Sequence, residues 1–159
     1  MRRLKAGIVG CGGIANAKHL PAMAKSGLYE ITAFCDVIEE RAKEAKDRFG
    51  SEDARVFLDY RELVQEDLDV VYVTTPNRSH ADISIAAMEA GKDVMCEKPM
   101  ARTYEEAQRM LEAAGRTKRV LNIAYQNRYR RDAAYLKELC RSGEMGEIYF
   151  AKAHALRRR

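Results

Sequence analysis

Residues 10–15 have the sequence GCGGIA and lie between two short apolar runs. The run before them is Ala6–Val9, and the run after them, Glu30–Cys35, ends at Asp36. An apolar run followed by a glycine-rich turn, a longer segment and a second apolar run is typical of a strand, a helix and a parallel strand. This order predicts a βαβ unit at the start of the chain.

The glycine-rich turn matches the pattern G-x-G-x-x-G/A of dinucleotide-binding turns. Gly10 allows a tight turn, Gly12 has no side chain to obstruct a pyrophosphate, and Ala15 permits close packing of helix on strand. The helix that follows directs its free N–H groups and positive dipole end at the phosphates. Asp36 lies twenty-one residues after Ala15, about where the ribose-binding carboxylate belongs. We therefore predict a nucleotide site that favours NAD over NADP, because a carboxylate repels a 2′-phosphate.

Strand and helix patterns alternate along the rest of the chain, which predicts a parallel sheet with helices on both faces. The six strands predicted up to Ala124 fit a doubly wound α/β (Rossmann) sheet of order 3-2-1-4-5-6. Pro21 lies inside the first predicted helix and is expected to kink or break it. Thr103 and Glu106 predict a capping box for a later helix. A seventh strand is predicted over 147–156, either disordered or paired with a second copy, since no partner strand follows it.

Composition and charge exclude several classes of protein. The 159 residues are 47% hydrophobic and 33% charged, as expected for one cytoplasmic globular domain without a membrane helix or signal peptide. The net charge is +4, but residues 157–159 supply three of those charges, so no nucleic-acid partner is expected. The four cysteines form no C-x-x-C pair or cluster with histidine, so we predict reduced buried thiols and no metal site.

Polar residues follow several of the predicted strands, where ligands of doubly wound sheets bind. These loops include Thr74–Asn77 and Glu97–Pro99. Lys98 follows a central strand and is the candidate for taking and returning a proton as hydride moves. Asn77 is also a suitable cap for the next helix. For His80, a structural role is the alternative to a role in the site.

Four motifs together resemble the Gfo/Idh/MocA oxidoreductase family, which includes glucose–fructose oxidoreductase and inositol dehydrogenase. They are GCGGIA at residues 10–15, Thr75–Asn77 with His80, Glu97–Pro99, and Tyr125–Arg128. The resemblance implies a nicotinamide-binding Rossmann domain over residues 1–125, with NAD as cofactor and a sugar or polyol such as a cyclitol as substrate. It also implies that Lys98 is the catalytic lysine and that the peptide bond before Pro99 is cis.

The resemblance also implies roles for further site residues. Glu97 is expected to hold the nicotinamide ribose, Asn127 to reach the nicotinamide, and Arg128 to reach the substrate. The predicted cofactor-binding set is Gly10, Gly12, Gly13, Ile14, Ala15, Asp36, Thr74, Thr75, Pro76, Asn77, His80, Glu97, Lys98 and Asn127.

Members of the resembled family are longer than this chain and carry a second α/β domain. Residues 126–159 are therefore expected to be the connecting helix and first strand of that substrate domain. We expect the 159-residue chain alone to be inactive, and the protein to form homo-oligomers through the substrate-domain sheet. Two alternatives stay open: a non-catalytic NAD-binding module, such as a redox sensor or regulatory subunit, and a reductase of another substrate class. Lys98 favours the dehydrogenase, since a sensor needs no proton-transfer lysine.

Overall fold

The structure is a computed structural model that describes residues 2–156. Met1 and residues 157–159, which the sequence assigns to the ends of the two predicted domains, lie outside the described residues. Within that range the chain forms a six-stranded parallel sheet of order β3-β2-β1-β4-β5-β6, which confirms the predicted Rossmann topology. The strands are β1 (Leu4–Val9), β2 (Tyr29–Cys35), β3 (Arg55–Phe57), β4 (Val70–Val73), β5 (Asp93–Cys96) and β6 (Leu121–Ile123).

Helices cover both faces of this sheet, so the strands are apolar on both sides. On one face, Ile8 and Phe34 pack with the first two helices; on the other, Val71 packs with Met88 and Met110 of later helices. The helices are α1 (Leu20–Ser26), α2 (Glu39–Phe49), α3 (Tyr60–Leu63), α4 (His80–Glu89), α5 (Tyr104–Thr117) and α6 (Arg131–Ser142).

Two local predictions about helix geometry are confirmed. Thr103 Oγ1 accepts the Glu106 N–H at 3.2 Å, which is the predicted cap of α5. The first helix is interrupted, because Ala15–His19 form a π-helical segment and α1 begins only at Leu20. Residues 13–26 remain helical on both sides of this change, so Pro21, the second residue of α1, removes one N–H directly after the widened π-helical turn.

The chain divides into two compact units, Met1–Ala124 and Tyr125–Arg159. The second unit contains a 3₁₀ turn, Gln126–Tyr129, followed by α6. Residues 147–156 form no strand in this single chain, and pairing of this segment with a second copy stays a prediction. A strand needs a neighbour for its N–H and C=O groups, and the described part of this unit contains no other strand to provide one.

The cysteine thiols divide into a buried group and one exposed residue, and all four are free. Burial, aided by nearby negative charge, raises the pKa of Cys11, Cys35 and Cys96 to about 12 in each case. Because the thiolate is the reactive form, these three should resist alkylation at neutral pH. We expect mass spectrometry after a brief exposure to iodoacetamide to find only Cys140 labelled in the native chain, and all four labelled in denaturant. Rapid native labelling of Cys11 would contradict this packing.

Candidate functional site

The glycine-rich turn follows β1 at the carboxyl edge of the sheet. Gly10 has φ +96°, and a Cβ there would lie 2.7 Å from the backbone N of Thr75. Thr74 supports the turn from β4, since its Oγ1 donates to the Gly10 carbonyl at 2.6 Å. A Cβ on Gly12 or Gly13 would meet no atom within 4 Å. The turn is therefore tightly packed at Gly10 and open at Gly12, where the fingerprint places a pyrophosphate.

Asp36, directly after β2, is buried against the same turn. Its Oδ2 accepts the Cys11 N–H at 2.8 Å, and its Oδ1 accepts the Ile38 N–H at 2.9 Å. A carboxylate has about four lone-pair directions, so two remain for the ribose hydroxyls that the sequence predicts as its partners. The structure adds a second role, because Asp36 also fixes the glycine-rich turn to the end of β2.

A cavity of about 800 Å³ lies beside these residues, within the usual size range of small-molecule sites. The glycine-rich turn, Asp36 and the loop after β4 line it, and so do Arg41, Arg61 and Arg78. Arg61 is paired with Asp59 at 3.1 Å. The cationic side chains suit an anionic ligand such as a pyrophosphate. Arg61 and Arg78 were not predicted from the sequence, although Arg78 directly follows Thr74–Asn77, a loop expected at the carboxyl edge of the sheet.

The loop after β4 is shaped by its own polar contacts. Thr75 and Pro76 line the cavity, and Ser79 Oγ donates to Thr75 Oγ1 at 2.9 Å. Asn77 begins a 3₁₀ turn, Asn77–Ser79, and its side chain caps no helix. The predicted capping role of Asn77 is therefore wrong, because the 3₁₀ turn separates Asn77 from the start of α4. Its contact with the cofactor stays a prediction.

His80 is buried at the start of α4 and joins two loops. Its Nδ1 lies 2.9 Å from the Pro99 carbonyl oxygen, and its Nε2 lies 2.9 Å from the Thr75 carbonyl oxygen. Neither ring nitrogen is left for a cofactor atom. These two contacts favour the structural alternative for His80, in which it ties the loop after β4 to the loop after β5.

Replacing His80 with leucine is expected to destabilise the fold. The substitution leaves at least one buried carbonyl without a donor, which costs about 1–3 kcal/mol. In a domain of this size that lowers Tm by roughly 2–12 °C. The measurement is a thermal melt followed by circular dichroism, with the same substitution at exposed His154 as the control. Equal melts for the two variants would contradict the loop-tying role.

Glu97 and Lys98 follow β5, the strand next to β4. Glu97 is buried; its Oε1 lies 2.8 Å from His19 Nε2, and its Oε2 accepts the Lys98 N–H at 3.0 Å. The Lys98–Pro99 peptide bond is cis, as predicted. The Lys98 side chain is exposed, and within residues 2–156 its ammonium forms no ion pair. It is therefore accessible to a ligand.

The remaining predicted residues divide between the two units. Ile14 is partly exposed, whereas Ala15 is fully buried in the core, as close packing of helix on strand requires. Asn127 and Arg128 belong to the second unit, where the Arg128 guanidinium lies 5.8 Å from the Tyr125 ring centroid. The cofactor and substrate contacts of Asn127 and Arg128 stay predictions.

The described residues show neither a metal-binding cluster nor a membrane-spanning helix. In the range 2–156, no group of three or more His, Cys, Asp or Glu side chains is placed to hold a metal ion. No helix in that range combines the length and apolar character needed to cross a membrane.

Comparison with known proteins gives consistent matches. Residues 4–125 match the oxidoreductase family described as having an NAD-binding Rossmann fold. The inositol 2-dehydrogenase of Salmonella typhimurium is 41% identical over 148 residues, which cover 91% of this chain and 43% of that protein. The WlbA dehydrogenase of Bordetella pertussis, solved with NADH and UDP-GlcNAcA, gives a TM-score of 0.87 at 31% identity, covering 93% of this chain and 42% of that one. The scyllo-inositol dehydrogenase of Lactobacillus casei, solved with NAD(H) and scyllo-inositol, gives 0.84 at 26% identity, covering 92% and 43%.

The doubly wound sheet, the open glycine-rich turn and these matches define the NAD-binding Rossmann domain of an oxidoreductase. The chain belongs to the Gfo/Idh/MocA family. It spans less than half the length of the relatives it matches.

Proposed function

We propose that the chain is the cofactor-binding part of an NAD-dependent dehydrogenase that transfers hydride between a sugar or cyclitol hydroxyl and nicotinamide. The observation that carries this proposal is the accessible Lys98 ammonium, which follows β5 beside the buried Glu97 in an NAD-binding fold. Relatives support the substrate class, since the Salmonella protein is named an inositol dehydrogenase and the L. casei structure holds scyllo-inositol.

The residues present fit the cofactor. Gly12 and Gly13 leave the space that a pyrophosphate needs, and Asp36 keeps lone pairs for the adenosine ribose. Arg41 and Arg78 add positive charge beside that position. When bound, NAD accepts the hydride released from the substrate carbon. The contribution of this chain is to fix the two halves of the cofactor and to offer a base at Lys98.

Lys98 acts on the proton in this proposal. Oxidation of a secondary alcohol releases a hydride from carbon and a proton from the hydroxyl group. A lysine amine in its neutral form takes that proton, and the ammonium returns it in the reverse direction. Glu97 holds the nicotinamide ribose next to Lys98, and Asn127 and Arg128 extend the site toward the nicotinamide and the substrate, as the resemblance implies.

Two other functions would use the same fold. A redox sensor or regulatory subunit would bind NAD without proton transfer, and a reductase of another class would bring a different substrate to Lys98. The first would tolerate loss of Lys98, whereas a dehydrogenase would not. The buried thiols support a reducing compartment such as the cytoplasm, and the resemblance supports homo-oligomers formed through the substrate-domain sheet.

Titration with NADH tests the cofactor assignment directly. The chain contains no tryptophan, so the nicotinamide fluorescence can be followed without energy transfer from indole. We expect saturable binding of NADH with one site per chain, and isothermal calorimetry provides the independent measurement. A chain that folds and binds no NADH at millimolar concentration would refute the proposal.

Turnover by the 159-residue chain alone is expected to be negligible. The relatives use more than twice this length, and the walls that hold a sugar against the nicotinamide are expected in the remainder. Correct positioning of reactants accounts for roughly 7–11 kcal/mol of barrier lowering, which a cofactor site alone does not supply. The measurement is NADH formation from myo-inositol and from glucose, with a full-length relative as the positive control. Sustained NADH formation by the 159-residue chain would contradict the proposal that the rest of the protein is needed to hold the substrate.

A further inference from the structure

His19 is a polar residue that the sequence patterns leave without a role, yet it contacts the candidate site. Its Nε2 lies 2.8 Å from Glu97 Oε1, although the two residues are 78 positions apart. Both side chains are largely enclosed, with exposed fractions of 15% for His19 and 7% for Glu97. A buried carboxylate is costly unless donors surround it. Only one side-chain donor to Glu97 is found among residues 2–156, and it is the His19 imidazole.

The fold places this imidazole through an unusual local geometry. His19 is the last residue of the π-helical segment Ala15–His19, which directly follows the glycine-rich turn. Such segments are rare and occur frequently at functional sites. The widened turn brings the His19 side chain over the sheet, where its ring lies edge-on to Tyr72 of β4 with the centroids 5.8 Å apart.

Aromatic packing fixes the position of the His19 ring on the side opposite Glu97. Tyr72 is itself edge-on to Tyr29 of β2, again with a centroid separation of 5.8 Å. Burial, together with the neighbouring Tyr29, raises the pKa of Tyr72 above its usual range, so Tyr72 stays neutral and presents no competing anion to His19. The imidazole therefore has a fixed wall on one side and the Glu97 carboxylate on the other.

The hydrogen bonds around Glu97 define how its carboxylate is held. Oε2 accepts the neighbouring Lys98 N–H at 3.0 Å, and Oε1 faces His19 Nε2. An ionised carboxylate only accepts, so Nε2 must carry the proton. Without that donor, one bond to its own neighbour would be all that orients the Glu97 side chain.

We propose that His19 is a positioning residue for the nicotinamide half of the cofactor. Its Nε2–H holds Glu97 in the orientation in which the free lone pairs of the carboxylate accept the hydroxyls of the nicotinamide ribose. This inference rests on the proposed function, and it predicts that His19 affects one half of the cofactor and leaves the adenosine half unchanged.

Two polar substitutions of similar size separate this role from a purely structural one. In His19→Gln the side-chain amide nitrogen reaches about the position of Nε2, so the donor is retained. In His19→Asn the amide reaches only about the position of Nδ1, so the donor to Glu97 is lost. Dissociation constants are measured by calorimetry for NADH and for ADP, which has the adenosine and pyrophosphate but lacks the nicotinamide ribose. Thermal melts of each variant provide the control for folding.

We expect His19→Asn to weaken NADH binding about tenfold or more, the loss typical of one hydrogen bond to a charged group, and to leave ADP binding within twofold of wild type. His19→Gln should retain most of the NADH affinity. In a Glu97→Ala background the Asn and Gln variants should no longer differ, because the acceptor for the side chain at position 19 has been removed.

Two results would overturn the inference: an equal loss of NADH and ADP affinity in His19→Asn, or equal NADH affinity in the Asn and Gln variants. A different result would contradict the proposed function itself. In that case the wild-type chain would bind ADP and NADH with the same affinity, or would bind neither. The two failures are therefore distinguishable in one set of titrations.

Discussion

Replacing Gly12 by alanine is expected to weaken NADH binding about a hundredfold or more while leaving the melting temperature unchanged. A Cβ at this position meets no protein atom within 4 Å, and the Gly12 backbone is not in the left-handed region that favours glycine. The added methyl group instead enters the space that the pyrophosphate needs. Displacing the phosphates breaks at least two charge-assisted hydrogen bonds, each contributing about 1.5–3 kcal/mol. Calorimetric titration with NADH and ADP, together with a thermal melt, measures both parts of the prediction.

Two other glycines provide matched controls for this substitution. Gly10→Ala should lower Tm, since Gly10 has φ +96° and the new Cβ would lie 2.7 Å from the Thr75 nitrogen. Gly115→Ala lies within α5 in open space and should raise stability by roughly 1 kcal/mol with unchanged NADH affinity. Wild-type affinity in Gly12→Ala would show that the pyrophosphate does not approach the glycine-rich turn at this residue.

Local sequence patterns predict the sheet because each of its signals spans only a few residues. Apolar runs mark the strands, Gly10 marks the turn after β1, and Thr103 with Glu106 marks the start of α5. The break near Pro21 is predictable for the same reason, since the missing N–H acts on the adjacent turn. Long-range contacts that combine these elements are not needed to predict them.

Long-range contacts determine the residues that the sequence misassigned or missed. The sequence leaves a cofactor contact and a structural role open for His80, and the ring lies against two carbonyls, one of them at Pro99, nineteen residues away. The contact between His19 and Glu97 joins two motifs that are separate in the sequence. A strand over 147–156 depends on a partner such as a second copy, because the described part of its unit contains no neighbouring strand. Side-chain type alone determines none of these outcomes, because each depends on a partner that only the fold provides.

The second large effect concerns the choice between NAD and NADP, which we assign to Asp36. A 2′-phosphate would lie beside this buried carboxylate, and two unit charges about 4 Å apart at an effective dielectric near 20 repel by about 4 kcal/mol. Arg41 and Arg78 line the same cavity, and their positive charge offsets part of that repulsion. We therefore expect the chain to prefer NAD by about a hundredfold, less than the thousandfold that 4 kcal/mol alone would give.

Asp36→Asn should narrow this preference, because it removes the charge and keeps a side-chain oxygen. It also loosens the glycine-rich turn, since one of the N–H groups of Cys11 and Ile38 loses its carboxylate acceptor. That loosening weakens the binding of both cofactors, so the ratio of the NADP and NAD dissociation constants is the quantity to compare, and Asp36→Ala should move it in the same direction. Arg41→Ala is the control with the opposite expected effect. It should increase the preference for NAD over NADP, because it removes positive charge that would attract the 2′-phosphate. Equal binding of NAD and NADP by the wild-type chain, or a ratio that Asp36→Asn leaves unchanged, would mean that Asp36 supports the turn without selecting the cofactor.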